Sequence, residues 1–329
     1  MTRPIVELVS IGHYAPERIL RNHEFAGMGL ETSHEWIVER TGICERHIAG
    51  PNDTTASMAA NASRIAMQRA GVTAADLDTI VLSTATPDRL LPATAVDLQA
   101  EIDADRAAAF DIGAACSGFL YGLTVAEGLI ASQSAETVLV AASEKMSAIL
   151  DWTDRATCVL FGDAAGAAIV RPARNGKGIL STFMRSDGKL ADLLYRPHGG
   201  ATVPMSADVL AQRTHLVKMA GRETFKHAVR MMCEAADRAL EKANLDASSI
   251  DLMVPHQANV RIMDATARKL GLPLTRVVST VDQHANTSAA SIPLAIDVAV
   301  RDGRIRAGQH LLLLGVGGGF TWGSVLVRW

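Results

Sequence analysis

Short apolar runs alternate with longer amphipathic segments along most of the chain. The runs at 5–11, 80–84, 137–142 and 166–170 are apolar almost throughout, which is typical of strands buried in a sheet. Between such runs, segments such as 53–70 repeat their apolar residues with helical spacing and end at a glycine. Alternating strands and helices predict parallel sheets covered by helices, that is, an α/β fold.

The second half of the chain repeats the pattern of the first half. Residues 58–83 align with residues 231–256 without a gap, so that helix, acidic linker and buried strand match in type and length. At the same offset, residues 138–142 align with residues 311–315. Chance similarity between two helix–strand units is the alternative, but the shared register of two separate blocks favours duplication.

The repeat predicts two duplicated α/β halves packed together, residues 1–173 and residues 174–329. The expected connection is the polar, turn-rich segment 172–177. Residues 193–208 are polar and contain glycine and proline, which predicts an inserted surface loop.

Composition and charge exclude several classes of protein. The 329 residues are 48% hydrophobic and carry a formal net charge of −3, so no basic field indicates nucleic-acid binding. The longest apolar runs, such as 311–319, are too short and too rich in glycine to span a bilayer. Residues 1–7 place an acidic residue where a secretion signal would need its apolar core. We expect a cytoplasmic protein with neither a nucleic acid nor a membrane as its partner.

The four cysteines are Cys44, Cys116, Cys158 and Cys233. They are widely scattered and form neither a CxxC motif nor a cluster with histidine. This usage is typical of a reducing compartment rather than of a disulfide framework. It also predicts no metal site.

Cys116 lies where a predicted buried strand, residues 107–112, turns into a predicted helix, residues 118–132. Unpaired backbone N–H groups and the positive end of the helix dipole favour a thiolate there. Small neighbouring residues leave room for a substrate to approach the sulfur. The alternative is a buried structural cysteine, so the interpretation as a nucleophile depends on partners elsewhere.

Three other loops could supply those partners. His256 follows the predicted strand 250–254, at the strand end where sites of parallel sheets gather. Asn286 stands at the turn of a predicted strand–turn–helix, residues 277–294, which the repeat makes the counterpart of the Cys116 segment. Gly318 belongs to a glycine-rich turn whose backbone N–H could face a developing oxyanion.

Each of these residues also has an ordinary structural interpretation. A single histidine at a strand end is commonly structural, Asn286 could be an N-cap, and the glycines could form a hairpin turn. Ser288 and Ser291 could simply solvate the first helical turn. A Cys–His–Asn set fits a cysteine hydrolase, in which Asn orients His, or a decarboxylating condensing enzyme, in which both donate to an enolate. Residue types alone do not choose between them.

Six motifs follow one another along essentially the whole chain: EWIVERTGI (35–43), DIGAACSGF (111–119), LFGDAAG (160–166), PHQAN (255–259), NTSAAS (286–291) and GGGFTWG (317–323). In this order they resemble the β-ketoacyl-(acyl carrier protein) synthase III family of the thiolase fold. The resemblance implies a layered α-β-α-β-α architecture and an acyltransferase that starts fatty acid biosynthesis.

The resemblance also implies a two-step reaction. Cys116 attacks an acyl-CoA thioester while the N–H groups of Cys116 and Gly318 hold the oxyanion. His256 and Asn286 then stabilise the enolate that decarboxylation of malonyl-acyl carrier protein leaves behind. That carbanion attacks the acyl-enzyme to give a 3-oxoacyl-carrier protein.

Other activities of such a site stay open. The nearest alternative is a related condensing enzyme or acyltransferase of secondary metabolism, of the quinolone or polyketide type. A thioesterase or cysteine hydrolase, and a carrier-binding subunit without activity, are alternatives from other classes.

Further residues are implied at the CoA and carrier-protein sites. The CoA site would consist of Trp36 and Arg155 around the adenine, Arg40 at a phosphate, Gly221 and Phe225 along the pantetheine tunnel, and Asn259 beside them. Carrier docking would use a basic face with Arg261, Arg268 and Lys269 on the predicted helix 259–270, together with Lys226. An ordinary solvated face is the alternative. A homodimer without a permanently bound cofactor is expected.

The sequence departs from the family pattern at several positions. Ala285 replaces a frequent glycine before Asn286, His34 replaces a frequent acidic residue, and Val316 stands where phenylalanine is frequent. Leu91 and Met146 fall where the family shapes the end of the primer pocket, so the primer length stays open.

Overall fold

The computed structural model describes residues 5–174 and 176–329. The strands are β1 (Val6–Tyr14), β2 (Arg18–Arg21), β3 (Glu45–Ile48), β4 (Thr79–Ser83), β5 (Ala108–Ile112), β6 (Val138–Glu144), β7 (Ala164–Pro172), β8 (Gly178–Ser186), β9 (Leu194–Tyr195), β10 (Lys218–Met219), β11 (Leu252–Pro255), β12 (His310–Gly317) and β13 (Thr321–Arg328). The helices are α1 (Glu24–Gly27), α2 (His34–Thr41), α3 (Thr55–Ala70), α4 (Thr94–Glu101), α5 (Gly118–Ala131), α6 (Arg155–Cys158), α7 (Ala207–Ala211), α8 (Gly221–Ala243), α9 (Val260–Lys269), α10 (Val281–His284) and α11 (Ser291–Arg301). The predicted α/β class is confirmed.

Two main sheets form the framework, with the strand orders β1-β7-β6-β4-β5 and β11-β12-β13-β8. Both are mixed rather than wholly parallel, which corrects the prediction of parallel sheets. In the first sheet β4 is parallel to β5 and β6, but β7 is antiparallel to β1 and β6. In the second sheet β11 and β12 are parallel, and β13 is antiparallel to both of its neighbours. The reason is that the chain leaves β6 and enters β7 at the same end of the sheet, without a helix that crosses to the opposite end. The same holds for β12 and β13.

The two sheets have corresponding strand orders, with β8, β13, β12 and β11 at the places of β1, β7, β6 and β4. Helices α3 and α8, which precede β4 and β11, both end at a residue in the left-handed conformation, Gly71 and Asn244. The fifth place differs, because Val277 forms only an isolated bridge with Met253. The strand predicted before Asn286 is therefore wrong, since the chain winds into α10 there.

Helices cover both sheets on both sides. Helices α3 and α4 pack on the outer face of the first sheet, and α8 and α9 pack on the outer face of the second. Helices α5 and α11 lie between the sheets, where Phe119, Leu123, Ile292 and Ile296 join one buried cluster with both sheets. This is the predicted α-β-α-β-α arrangement, and it places the start of α5 beside the second sheet.

Strand β5 is an edge strand and is partly exposed, with Phe110 37% accessible. The strand predicted at 107–112 is present at Ala108–Ile112, but the prediction that it is buried is wrong for the single chain. The reason is that, within the described part of the chain, β5 pairs only with β4.

The connection between the two sheets runs from the end of β7 at Pro172 to the start of β8 at Gly178. Asn175, within the predicted connection, lies outside the described residues, as do residues 1–4 of the predicted N-terminal segment. The division into halves at 173/174 stays a prediction. Within the described ranges, no helix is long and apolar enough to cross a membrane.

Candidate active site

Cys116 lies in a single 3-10 turn, Ala115–Ser117, between β5 and α5. Its side chain is 5% accessible. The glycine-rich end of β12 packs directly on it: a Cβ on Gly317 would come within 2.5 Å of the Cys116 backbone nitrogen. Only glycine leaves this space, so the hairpin of β12 and β13 can close over the nucleophile.

The environment of Cys116 opposes ionisation. Burial raises the pKa of the Cys116 thiol to about 12, a hydrogen bond with Ser288 lowers it, and the charge of Glu144 raises it further. The expectation that the helix start would favour a thiolate is therefore not met, because desolvation outweighs the backbone N–H groups. The thiol is the stable form in the free protein.

His256 follows β11 and is 1% accessible. Its Nδ1 lies 2.7 Å from Ser291 Oγ, and the Gln257 N–H donates to the same oxygen at 3.3 Å. Since Ser291 accepts from Gln257, its hydroxyl can donate to Nδ1, which leaves the proton of His256 on Nε2. Burial lowers the pKa of His256 to about 3, so the ring is neutral.

Hydrogen bonds of both its backbone and its side chain hold Asn286 in place. Its N–H donates to Leu160 O and its carbonyl accepts from Gly162 N, both at 3.0 Å. Its side-chain Oδ1 accepts from the Ser288 N–H at 2.9 Å, so that Nδ2 remains as the donor end of the amide. The motif 160–166 thus positions Asn286.

Cys116, His256 and Asn286 line one cavity with an empty volume of about 630 Å³. Gly221 and Phe225, which the family resemblance puts along a tunnel, also line this cavity. Asn259, which the resemblance puts beside that tunnel, lines the cavity as well. All six of these residues meet here although they come from four separate segments of the chain.

A second cavity of about 700 Å³ begins at the other side of Cys116. Ser288 and Gly318 line it near the sulfur, and Met146, Ile149, Phe161, Leu194 and Val217 give it apolar walls. Met146 therefore lies where the sequence predicted it. Leu91 does not line the cavity of its own chain, because its side chain is 86% accessible.

Trp36 lies on α2 with two guanidinium groups close to its ring. The Cζ atoms of Arg155 and Arg40 lie 4.5 and 4.9 Å from the ring centroid. Arg155 also donates to Glu31 O. Asn259 donates through Nδ2 to Arg40 O at 3.0 Å and caps α9 by accepting from the Arg261 N–H at 2.8 Å. Asn259 thus connects the cavity to the Trp36 cluster.

The predicted basic face is present on α9 and α8. Arg261, Arg268 and Lys269 are exposed on α9, and Lys226 is exposed on α8. The Arg261 Cζ lies 6.0 Å from the centroid of the Phe225 ring, at the wall of the first cavity. Arg268 and Lys269 lie two turns further along α9.

Sequence reasoning missed Glu144, and it gave Ser288 and Ser291 only a structural role. Glu144 ends the buried strand β6, and its carboxylate accepts from the Ser288 hydroxyl at 2.9 Å. Ser291 bonds to His256, so neither serine merely solvates a helical turn. The available signal was an acidic residue at the end of an otherwise apolar strand. In the described part of the chain, no group of three or more His, Cys, Asp or Glu side chains is placed to hold a metal ion.

Comparisons with known proteins agree with this geometry. Residues 110–188 match the family described as 3-oxoacyl-[acyl-carrier-protein (ACP)] synthase III, and residues 240–329 match the C-terminal region of the same family. A β-ketoacyl-[acyl-carrier-protein] synthase III of Thioalkalivibrio sulfidiphilus is 50% identical over 98% of each chain.

Solved structures are similar over the full length as well. A 3-oxoacyl-[acyl-carrier-protein] synthase III from Aquifex aeolicus is 41% identical, with a TM-score of 0.91 and coverage of 98% of this chain and 100% of that chain. The priming β-ketosynthase of the R1128 polyketide pathway is 35% identical, with a TM-score of 0.91 and coverage of 99% and 96%.

The layered fold and the Cys–His–Asn cavity define a condensing acyltransferase of the thiolase fold. The chain belongs to the 3-oxoacyl-[acyl-carrier-protein] synthase III family.

Proposed function

We propose that this chain transfers a short acyl group from acyl-CoA to Cys116 and condenses it with malonyl-acyl carrier protein. The products are CO₂ and a 3-oxoacyl-carrier protein. The observation that carries the proposal is the meeting of Cys116, His256 and Asn286 in one buried cavity.

Acylation uses the part of the site around Cys116. The sulfur attacks the thioester carbonyl, and the oxyanion lies between the N–H groups of Cys116 and Gly318. The support for this role of Gly318 is its place beside Cys116 in the second cavity. That cavity holds the acyl chain against its apolar walls.

Condensation uses the donors of the other half. Neutral His256 donates through Nε2 and Asn286 through Nδ2 to the enolate oxygen that forms as malonyl-carrier protein loses CO₂. Two fixed donors in a site without bulk water stabilise this charge strongly. Simple acyl transfer or thioester hydrolysis would have no enolate for both donors to hold.

CoA enters along the first cavity, past Gly221, Phe225 and Asn259. Its adenine would stack between Trp36 and Arg155, and Arg40 would bind a phosphate, because guanidinium groups both stack on rings and bind phosphate. CoA is a substrate here, and no permanently bound cofactor is part of the proposal.

The carrier protein would dock on the basic face of α9 and α8, formed by Arg261, Arg268, Lys269 and Lys226. This position is supported by Arg261, which lies beside Phe225 at the cavity wall. An acidic carrier domain would be steered to this face by charge.

A homodimer would cover the free edge of β5. The edge carries exposed Phe110, and the nearby loop carries Leu90 and Leu91, which are 85% and 86% accessible. Unpaired apolar strand edges are rarely left open in solution. The cytoplasmic location stays a prediction from the cysteine usage.

A condensing enzyme of secondary metabolism is the second candidate. It is favoured by the similarity to the R1128 priming β-ketosynthase and by a second cavity large enough for more than an acetyl group. Initial rates with a panel of acyl-CoA primers of different length and branching distinguish the two candidates. Preference for acetyl-CoA supports fatty acid initiation, and preference for a long or unusual primer supports the alternative.

One assay tests the main proposal. The protein is incubated with labelled acetyl-CoA and malonyl-carrier protein, and acyl-Cys116, CO₂ and the condensed product are followed. Cys116→Ala should abolish labelling, whereas Cys158→Ala, at another buried thiol, should not. Acyl-enzyme without condensed product, or labelling that survives Cys116→Ala, would overturn the proposal. Free acid as the sole product would identify a hydrolase.

A further inference from the structure

Cys116 must lose its proton when it attacks a thioester, and its surroundings leave few acceptors. Burial keeps the thiol protonated, with a pKa of about 12. Burial also lowers the pKa of His256 to about 3, so this imidazole is a weak proton acceptor. The proton therefore needs another destination within the closed site.

Glu144 is a completely buried carboxyl group that the condensation steps do not use. Its carboxylate accepts hydrogen bonds from Thr84 Oγ1 at 3.3 Å, Ala85 N at 3.0 Å, Thr86 Oγ1 at 2.9 Å and Ser288 Oγ at 2.9 Å. All of these donors are neutral, and burial raises the pKa of Glu144 in spite of them. A buried carboxylate without a cationic partner is a strong proton acceptor for its type.

Ser288 connects Glu144 to the nucleophile. It lines the second cavity together with Cys116, and its hydroxyl donates to Glu144 at 2.9 Å. A hydrogen bond with Ser288 also lowers the pKa of the Cys116 thiol. A hydroxyl has one hydrogen and two lone pairs. When its hydrogen is donated to Glu144 Oε1, Ser288 Oγ can accept the hydrogen of the Cys116 thiol.

Other charged groups nearby are engaged elsewhere. Lys145, the next residue after Glu144, directs its Nζ to the carbonyl oxygens of Gly50 and Asp53. Asp163 accepts from Ser147, and Asp88 accepts from the first N–H groups of α3. Arg196 also lines the second cavity, but its Nε donates to His215 O at 2.9 Å. The charge of Glu144 raises the pKa of Cys116.

We propose that Ser288 and Glu144 form a proton relay that takes the thiol proton of Cys116 as this residue attacks acyl-CoA. The inference rests on the proposed function. The S–H bond breaks and its proton passes to Ser288 Oγ, while the Ser288 hydroxyl proton passes to Glu144 Oε1. The sulfur electron pair forms the new C–S bond, and no electron is gained or lost by the relay.

The total charge of the buried site stays constant during this transfer. A thiol and a carboxylate become a thiolate and a carboxylic acid, so one negative charge moves and no second charge is buried. The departing CoA thiolate takes up one proton, which Glu144 returns along the same route. Ser288 exchanges the proton directly with the sulfur of Cys116. Glu144 acts through Ser288, because it holds the proton until CoA departs.

The relay predicts an unusual pH profile for alkylation of Cys116 in the free protein. The rate with iodoacetamide is measured for the Cys116 peptide by mass spectrometry, without any substrate. Over the pH range in which Cys116 and Glu144 share one proton, a constant fraction of the molecules carries that proton on Glu144 and has a thiolate at Cys116. The wild-type rate should therefore reach a plateau below the pH at which the thiol loses its proton to solvent.

Glu144→Gln and Ser288→Ala should remove the plateau, so that the rate rises about tenfold per pH unit. Near neutral pH, alkylation of Cys116 should be at least roughly tenfold slower in each variant than in the wild type. The double variant should react no more slowly than either single variant. Ser147→Ala is the matched control, because it removes a hydroxyl that donates to buried Asp163 at 2.5 Å, away from Cys116.

An effect of Glu144 through its charge alone would change the alkylation rate in the opposite direction. If Glu144 acted only through its charge, its removal would lower the pKa of the thiol, and Glu144→Gln would react faster than the wild type. A faster reaction, or a wild-type profile in Ser288→Ala, would overturn the relay. Should Glu144→Gln fail to fold, Ser288→Ala decides alone, because it leaves the bonds of Glu144 to residues 84–86 in place. Since no substrate is used, this result is independent of whether condensation occurs.

Discussion

Burial keeps both Cys116 and His256 uncharged, because it raises the pKa of the thiol and lowers the pKa of the imidazole. A neutral imidazole whose tautomer is fixed can donate one hydrogen bond toward the substrate and cannot attract carboxylates as a cation would. The selectivity of His256 and Asn286 for an enolate therefore depends on the direction of their hydrogen bonds. Ser291 sets that direction for His256.

Ser291→Ala should reduce condensation more than acylation. Without the Ser291 hydroxyl the proton of His256 is free to move to Nδ1, and Nε2 then has no hydrogen for the enolate. We expect roughly a tenfold to hundredfold loss of CO₂ release from malonyl-carrier protein. Acylation of Cys116 by acetyl-CoA, measured by intact-mass spectrometry, serves as the internal control. An equal loss of both steps would contradict the role assigned to Ser291.

Ala285 has backbone angles φ 55° and ψ −156°, a region that glycine occupies far more easily than alanine. Ala285→Gly should therefore raise the free energy of unfolding by about 1 kcal/mol, after the entropy that glycine loses on folding is subtracted. Urea denaturation measures the change. Ala289→Gly, at another fully buried alanine with ordinary angles, should instead destabilise the protein. A destabilised Ala285→Gly variant would show that no strain is relieved.

At the scale of elements, α9 combines two functions. Its N-cap Asn259 and its residue Ile262 line the first cavity, while Met263 and Ala267 are buried in the core cluster that includes α8. Arg261 is exposed beside Phe225. A helix anchored in this way holds its basic side chains in fixed positions for a partner. Binding of a carrier protein should then depend on individual charges on one face.

Arg261→Glu should weaken the use of carrier-bound malonate. The reversed charge repels an acidic carrier domain, and we expect KM for malonyl-carrier protein to rise roughly tenfold with a smaller change in kcat. Arg301→Glu, at the exposed end of α11, is the matched control. The acylation rate with acetyl-CoA should stay close to that of the wild type. Equal losses in both reactions would refute a docking role for Arg261.

The sequence was most informative where one local pattern determined one element. Helix α3 was predicted at 53–70, and the structure places it at Thr55–Ala70 with Thr54 as its N-cap and Gly71 as its C-cap. The chain before Asn286 was not predictable in this way, because its apolar run fits a strand while tertiary packing winds residues 281–284 into α10. Strand direction also depends on whether a connection stays at one end of the sheet or crosses to the opposite end, and local patterns do not contain this information.

In the active site too, residues marked by a local sequence pattern could be predicted, whereas residues defined by distant contacts could not. Cys116, His256 and Asn286 could be selected because residue type, turn position and repeat all pointed to them. Glu144 and Ser291 could not, because their partners are 144 and 35 positions away in the chain. Contacts of this kind become visible only after distant segments of the chain are packed together.

At the scale of the whole molecule, the free edge of β5 connects assembly with catalysis. Strand β5 leads directly into the turn that carries Cys116, so the order of this edge affects the nucleophile. Phe110→Lys should convert the expected homodimer into a monomer and lower the acylation rate. Light scattering coupled to size-exclusion chromatography measures the mass, and Met205→Lys, at another exposed apolar residue, is the control. A wild-type monomer would contradict the expected assembly.

The two cavities on either side of Cys116 have a kinetic consequence. The arm of CoA and the arm of the carrier protein must use the same entrance, whereas the acyl group can wait in the opposite chamber. The first product therefore has to depart before the second substrate binds, which is a ping-pong order. Double-reciprocal plots at several fixed acetyl-CoA concentrations should give parallel lines, and free CoA should compete with malonyl-carrier protein. Intersecting lines would mean that both arms reach the nucleophile together.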